Sequence, residues 1–488
     1  MTAFVHAAPI PREGGRALSD SELGTGRGRP ARRRRDAPLL RRLGPLDGVA
    51  LVVANVIGIG IFTTPGIVAG MLPGPAAFLG LWATGGVLAL CGGLVYAELG
   101  ATYPEAGGEY VYIRNAFGPL AGFLSGWTSF VAGFSGAIAA AAVGFGAYLD
   151  RLIPGAGDAA PLFELSIAFA SVEVSPRALV GLALIALLTA AHARGLRAGR
   201  VTQNALAALS ALLILGLILA AFLSPGAGPV SAAVAAPRSG ESRLLVALVL
   251  VMFTYSGWNA PAYVAGEMRA PRPSLRTGVL LGTLCVTLLY LGLNLAYLRA
   301  VPYGELAGNV AVADAAAARL LGAVAGDAVA VLVLVALASA VSAMIMTGPR
   351  VYFAMASDGC FPAAFARVGG RTRLPVLALA AQAGWSGVLV LTGTFEALIT
   401  YTGFAIVAFS SVAVASLFVL RRRPRAGRRP RAVWGYPLTP IAFLLAGAAM
   451  LVQAIRYAPA ASLAGLGVIA SGLPVYGWNS RRAHRSST

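Results

Sequence analysis

About twelve apolar stretches, each near the ~20 residues that carry a helix across a bilayer, follow one another from Leu46 onward with short polar connectors between them. That succession leaves the chain few options. Inside lipid every backbone polar group must be satisfied internally, and a bundle of spanning helices does this. The centres of the stretches fall near Gly58, Leu90, Ser135, Leu184, Leu212, Ser256, Leu288, Ala338, Gly384, Val407, Leu444 and Gly467. Hydrophobic residues make up 58% of the chain and charged residues 12%, a balance no soluble protein of 488 residues needs. Sixty glycines suit helices in close contact, whereas a membrane barrel shows short alternating segments. The reading is an all-α integral membrane protein.

The net charge of +19 is a topology signal. All 38 basic residues are arginine. With the N-terminus placed in the cytoplasm, 31 of them fall on the cytoplasmic side and 7 on the other. This fits the positive-inside rule with both termini cytoplasmic, and the plasma membrane is the expected location. Residues 1–44, with Arg32 to Arg35, read as a disordered basic tail held near anionic lipid, too long and polar to be a cleaved signal peptide. Residues 421–432 read as a basic cytoplasmic loop and 479–488 as a C-terminal tail. The bilayer, not nucleic acid, is the partner of this charge. Cys91, Cys285 and Cys360 have no paired spacing, and His6, His192 and His484 stand near ends or tails. No metal site, cofactor or obligatory protein partner is indicated.

Two of the stretches are unlike the others. The first contains Asn55-Val56-Ile57-Gly58-Ile59-Gly60-Ile61-Phe62-Thr63-Thr64-Pro65-Gly66. Each interior glycine costs a helix about 1 kcal/mol relative to alanine, and the proline removes a donor. A run that had only to cross lipid would not carry all three. The sixth gives way from a smooth apolar half to Tyr255-Ser256-Gly257-Trp258-Asn259-Ala260-Pro261. Broken helices at membrane depth are tolerated where their freed backbone lines a cavity or is buried in protein, and close glycine-lined packing is the competing explanation. A pair of interrupted spans, five apart, is the trace of inverted repeats with a binding site between the breaks.

With these two segments in hand, the chain resembles the amino acid–polyamine–organocation superfamily, and within it the L-type amino acid transporter-like permeases. Further matching blocks are Tyr96 to Tyr110, Glu267 to Arg276 and Arg350 to Gly359. The resemblance implies a LeuT-type fold: two inverted five-helix repeats, residues 45–223 and 244–420, with two helices appended over 433–478. It implies a secondary transporter of amino acids, in which a bundle of the first, second, sixth and seventh helices rocks against a scaffold.

A zwitterionic amino acid presents a carboxylate and an ammonium. The half-helix beginning near Gly60 offers unpaired N–H groups and a positive dipole end, which suits the carboxylate. Carboxylate binding is assigned to the backbone of Gly58, Ile59 and Gly60, and ammonium binding to carbonyls near Val56, Phe253 and Ser256. Ile57, Ile61, Thr254 and Gly257 complete the broken segments. By resemblance Phe253 is an aromatic gate, with a lipid-facing or core ring as the alternative; Trp258 and Asn259 are read as shaping the side-chain pocket, with interhelical contact as their ordinary alternative. Ile59 departs from the small polar residue that many relatives carry.

Neither broken segment holds an ionisable group before Glu267, which favours neutral substrates over cationic amino acids or polyamines. Glu98, Glu105, Glu109 and Glu267 lie near cytoplasmic helix ends, where Arg114, Arg269 or Arg350 would latch a gate. Asn55 and Asn294 read as interhelical hydrogen-bonding groups. Some relatives place a lysine in the fifth span; the matching position here is Ser210, and the chain has no lysine. Ser210, Ser339 and Ser342 are an alternative sodium site, set behind exchange or uncoupled transport. A membrane-embedded enzyme is the reading from another class, but no HExxH, GxSxG or histidine pair occurs.

Overall fold

The computed structural model describes residues 39–167, 170–224, 241–322, 325–393, 395–422, 433–457 and 459–485. Most of the expected N-terminal tail and of the loop at 421–432 lies outside these residues. The first span is two helices, α1 (Pro45–Val56) and α2 (Gly60–Ala69), bent by 53°. The second is α3 (Pro75–Thr102). A short α4 (Glu109–Phe117) leads into the third, made of α5 (Pro119–Thr128), one π-helical turn at Ser129–Gly133, and α6 (Phe134–Leu149). A hairpin of β1 (Phe163–Ile167) and β2 (Ala170–Val174), with Leu165 opposite Val172, fills the next connector. The fourth and fifth spans are α7 (Pro176–Ala193) and α8 (Leu196–Leu223).

The sixth span is α9 (Glu241–Thr254) and a single turn, α10 (Ala260–Tyr263), followed by a 3-10 turn at Ala265–Glu267. Then come α11 (Pro271–Ala300), short α12 (Tyr303–Leu306) and α13 (Val312–Leu321), and the long α14 (Ala325–Ser357). α15 (Val376–Leu391), α16 (Phe395–Arg422) and α17 (Leu438–Tyr457) are the ninth to eleventh. Prolines start many of these helices, at Pro45, Pro75, Pro119, Pro176 and Pro271, where the missing donor has no intrahelical acceptor to lose.

Among the described residues eight helices are long and apolar enough to cross a membrane, and the bent first pair makes a ninth. Arg243–Thr254 and Val376–Leu391 are shorter apolar helices at the sixth and ninth positions. The twelfth stretch differs from expectation. It divides into α18 (Pro459–Ala470) and α19 (Gly472–Arg485). Twelve residues of helix reach only about 18 Å, and Gly472 and Pro474 stop the helix from running on. α19 runs on past residue 479, where the tail is expected to begin, to Arg485.

α11 lies along both α1 and α3, while α6 packs against α14, α7 and α15. α14 is the central post: 89% of its apolar window is buried, against 28% for α8. Its run Ala336, Ala338, Ser339, Ala340, Ser342 and Ala343 is small enough to admit neighbouring helices on every side.

Candidate functional site

α1 stops because Ile57 turns to an extended conformation, with ψ 102°. When α2 restarts, Phe62 N–H bonds to Ile59 O at 3.0 Å. The donors before it have no intrahelical acceptor. Among the described residues nothing accepts from the N–H groups of Gly58, Ile59 and Gly60. A Cβ at Gly58 would meet nothing within 4 Å, so this part of the break faces open space.

In the sixth span the last regular bond is Tyr255 N–H to Val251 O, and Ser256 N–H folds back to Phe253 O at 3.0 Å. Gly257 then takes φ +113°, a conformation that favours glycine. It also needs the absence of a side chain, because a Cβ there would lie 2.6 Å from Asn55 O. The two breaks therefore meet backbone to backbone. Tyr290 of α11 ties them together: its hydroxyl lies 2.8 Å from Val56 O and 3.2 Å from Thr254 O, one freed carbonyl from each broken helix. Thr254 Oγ1 also reaches Thr64 Oγ1 of α2 at 3.3 Å. Tyr290 is held in turn against Trp82 and Tyr255, with ring centroids 5.8 and 5.1 Å away.

A cavity of about 490 Å³ opens beside the breaks, with further walls from α6, α14 and α16. Val56, Gly58, Ile59, Gly60, Phe253, Thr254, Ser256, Gly257 and Asn259 line it, as does Asn55. Ile57, Ile61 and Trp258 do not. The two isoleucines are fully buried, and Trp258 packs edge-on between Tyr96 and Phe443. Ile59 and Phe253, at 40% and 45% exposed, turn toward the hollow. A second cavity of about 430 Å³, between α9, α16 and α17, shares Phe253, Ser256, Gly257, Asn259, Ile406 and Ser410 with the first. It is walled mainly by apolar residues and does not reach the first break.

The α6 wall, with Phe134, Ala137, Ala141 and Gly144, was not foreseen from the sequence, and neither were Glu109, Arg177 and Ser410. The expectation is that neither broken segment holds an ionisable group before Glu267. It holds for the broken helices, but Glu109 and Arg177 come into the cavity wall from outside them. Arg177 Nε donates to Gly157 O at 2.8 Å. Glu109 accepts from the Tyr96 hydroxyl at 2.8 Å.

The arginine-rich end of the bundle is closed. Arg350 of α14 grips the Glu267 carboxylate through two nitrogens, at 2.7 and 3.1 Å, and both side chains are 2% exposed or less. The Glu267 carbonyl accepts from the N–H groups of Arg42 and Leu43, and Arg269 N–H returns to Leu43 O. Arg114 joins Glu105 at 3.0 Å and also Asp358. So Glu105 and Glu267 pair with arginines as expected, whereas Glu109 meets a tyrosine. The Glu98 carbonyl accepts from Thr102 in its own helix.

Ser210, Ser339 and Ser342 are buried, and none of them lines the cavity. Ser210 donates to Leu206 O, and Ser342 Oγ lies 2.9 Å from His192 Nε2. Ser339 Oγ has no partner among the described residues. Asn294 donates to Tyr290 O within α11.

A helical membrane bundle whose two broken spans meet at a central cavity, with bare donors on one and freed carbonyls on both, has the architecture of a solute carrier. The amino acid permease family model matches residues 43–469, and the chain belongs to that family. It is a multi-pass membrane protein that transports amino acids, and the likeness to the amino acid–polyamine–organocation superfamily stands. Among its relatives, the human large neutral amino acids transporter small subunit 2 is 30% identical over 477 residues, covering 95% of this chain and 83% of that protein. The serine/threonine exchanger SteT of Bacillus subtilis is 28% identical over 460 residues, covering 92% and 99%. The mouse Asc-type amino acid transporter 1 is 28% identical over 458 residues, covering 90% and 81%.

Proposed function

We propose that this chain exchanges neutral amino acids across the plasma membrane by alternating access, with both termini in the cytoplasm. The substrate carboxylate sits on the bare N–H groups of Gly58, Ile59 and Gly60 at the positive end of α2. Its ammonium meets carbonyls near Val56, Phe253 and Ser256; a carbonyl has two lone pairs, so the Tyr290 bond to Val56 leaves one free. Thr254, Gly257 and Asn259 bound the side-chain pocket, and Phe253 closes over it. Residues 45–223 and 244–420 are the two repeats, and 433–478 is the appended pair.

The observation that carries this reading is the open space at Gly58 beside unpartnered N–H groups, facing a second break across one cavity. A cationic substrate would need a carboxylate free to receive it. Glu109 is instead taken up by tyrosine, which supports the neutral class. The names of two relatives point the same way: large neutral amino acids, and serine and threonine.

The purified chain, reconstituted alone in liposomes loaded with an unlabelled amino acid, is expected to accumulate labelled external substrate by counterflow. A pore would not accumulate label. Failure with every neutral amino acid, alongside accumulation of arginine or a polyamine, would overturn the neutral reading. A requirement for a second protein would overturn the expectation that the chain works alone.

A further inference from the structure

Glu109 is buried in the cavity wall, and its partners are neutral. It is the first residue of α4, between the second and third spans. The turn before it fits closely under the sixth span: Gly107 N–H donates to Tyr263 O at 3.1 Å. Gly108, at φ +53°, has no room for a side chain, since a Cβ would meet the Tyr263 ring at 2.5 Å. Glu109 is thereby pinned beside two phenols, Tyr96 of α3 and Tyr263 of α10. The Tyr263 hydroxyl itself accepts from Asn259 Nδ2 at 3.2 Å. A polar path thus runs from Asn259 in the second break, through Tyr263, to the carboxyl of Glu109.

Among the described residues, the other groups facing this carboxyl carry no positive charge. Tyr112 approaches from its own helix, and Ser410 of α16 bonds to Tyr96. The cations on its own helix and on α14 are engaged elsewhere, Arg114 with Glu105 and Asp358, and Arg350 with Glu267. Burial raises the proton affinity of Glu109, and the hydrogen bonds from Tyr96 and Tyr263 offset part of that rise. The balance leaves its pKa at about 7.

We propose that Glu109 is a proton-binding site of the transport cycle, linked to substrate at the second break through Tyr263 and Asn259. This rests on the amino acid transport reading. In the closed arrangement described above the proton stays on the carboxyl. Opening of the arginine-rich end admits water, returns the carboxyl to the ordinary range and lets the proton leave; only the O–H bond is made or broken. The sign follows. Because the closed form has the higher pKa, its stabilisation by protonation is fully present in acid and is lost as pH rises through about 7. Substrate exchange, which must pass through this closed form, slows with it.

The test is counterflow in proteoliposomes at equal internal and external pH, from pH 5.5 to 8.5. For a single site near pH 7 the rate is expected to fall about tenfold between pH 6 and pH 8. Glu109→Gln should bring the ratio of the two rates close to one, and Glu109→Asp should keep a fall. Tyr263→Phe keeps the carboxyl but removes a bond that favours its charged form, so the midpoint should move to higher pH; this variant serves if Glu109→Gln does not fold. Robust counterflow with a flat profile in the unmodified protein, the same fall in Glu109→Gln, or an unmoved midpoint in Tyr263→Phe would each overturn the proton site. No accumulation at any pH would instead sink the transport reading and this site with it.

Discussion

The α-carbon of Gly257 stands so close to the carbonyl oxygen of Asn55 that an added Cβ would lie 2.6 Å from it. This contact sets the spacing between the two broken spans, and the cavity beside them depends on it. Gly257→Ala would clash there and would also hold a side chain at φ +113°. We expect a loss of about 1–3 kcal/mol of stability together with most of the transport. Thermal unfolding and counterflow on the same preparation measure both, and an active, equally stable variant would refute the contact.

Gly58 and Gly60 separate occlusion from packing. A side chain at Gly58 enters open space, so Gly58→Val should leave stability nearly unchanged while weakening substrate at least about tenfold, or roughly 1.4 kcal/mol. At Gly60 a Cβ would press on Thr254 at 3.1 Å. Gly60→Val should therefore abolish uptake at normal expression by forcing α2 away from the end of α9. Unchanged substrate affinity in Gly58→Val would remove the carboxylate from this break.

Tyr290→Phe deletes the proton shared between Val56 O and Thr254 O. Two carbonyls lose a buried donor, and about 1–3 kcal/mol of stability should go with it. The melting temperature should drop, and counterflow should slow. A variant with unaltered melting behaviour would show that water replaces the hydroxyl.

The Glu267–Arg350 pair is expected to behave as a buried ion pair does. Arg350→Ala leaves an uncompensated carboxylate and should cost about 3–5 kcal/mol, whereas replacing both partners with apolar residues of similar size should restore most of it. Denaturant unfolding of the single and double variants reads this. Equal losses in the two would assign the effect to packing.

Phe253→Ala should slow exchange more than it weakens binding if the ring closes over the substrate. Rates from counterflow and affinities from thermal shift separate the two, and a pure loss of affinity would give Phe253 a packing role.

Both breaks were legible because glycine and proline are conspicuous inside apolar runs, as at Gly58, Gly60, Gly257 and Pro261. The rotation of the half-helices was not legible. Ile57 and Ile61 flank the exposed residues yet point into the packed interior, since a break frees backbone over only a few residues. The α6 wall was hidden because Ala137, Ala141 and Gly144 read the same whether they border a hollow, a helix or lipid. Glu109 escaped notice as a site residue because it belongs to a connector, and only the turn at Gly107 and Gly108 carries it inward. Tyr290 left a faint trace, one of two phenols, with Tyr297, amid the leucines of the seventh span. The split of the last stretch was written in Gly472 and Pro474 but outweighed by its overall apolarity.

The short parallel bridge between Leu43 and Met268 has a mechanical meaning. It fastens the entry to the first span onto the exit from the sixth, and the same Glu267 that accepts from Arg42 and Leu43 also holds Arg350. Leu43, Met268, Glu267 and Arg350 therefore carry load as one unit, so the first and sixth spans cannot part at this end without straining the ion pair.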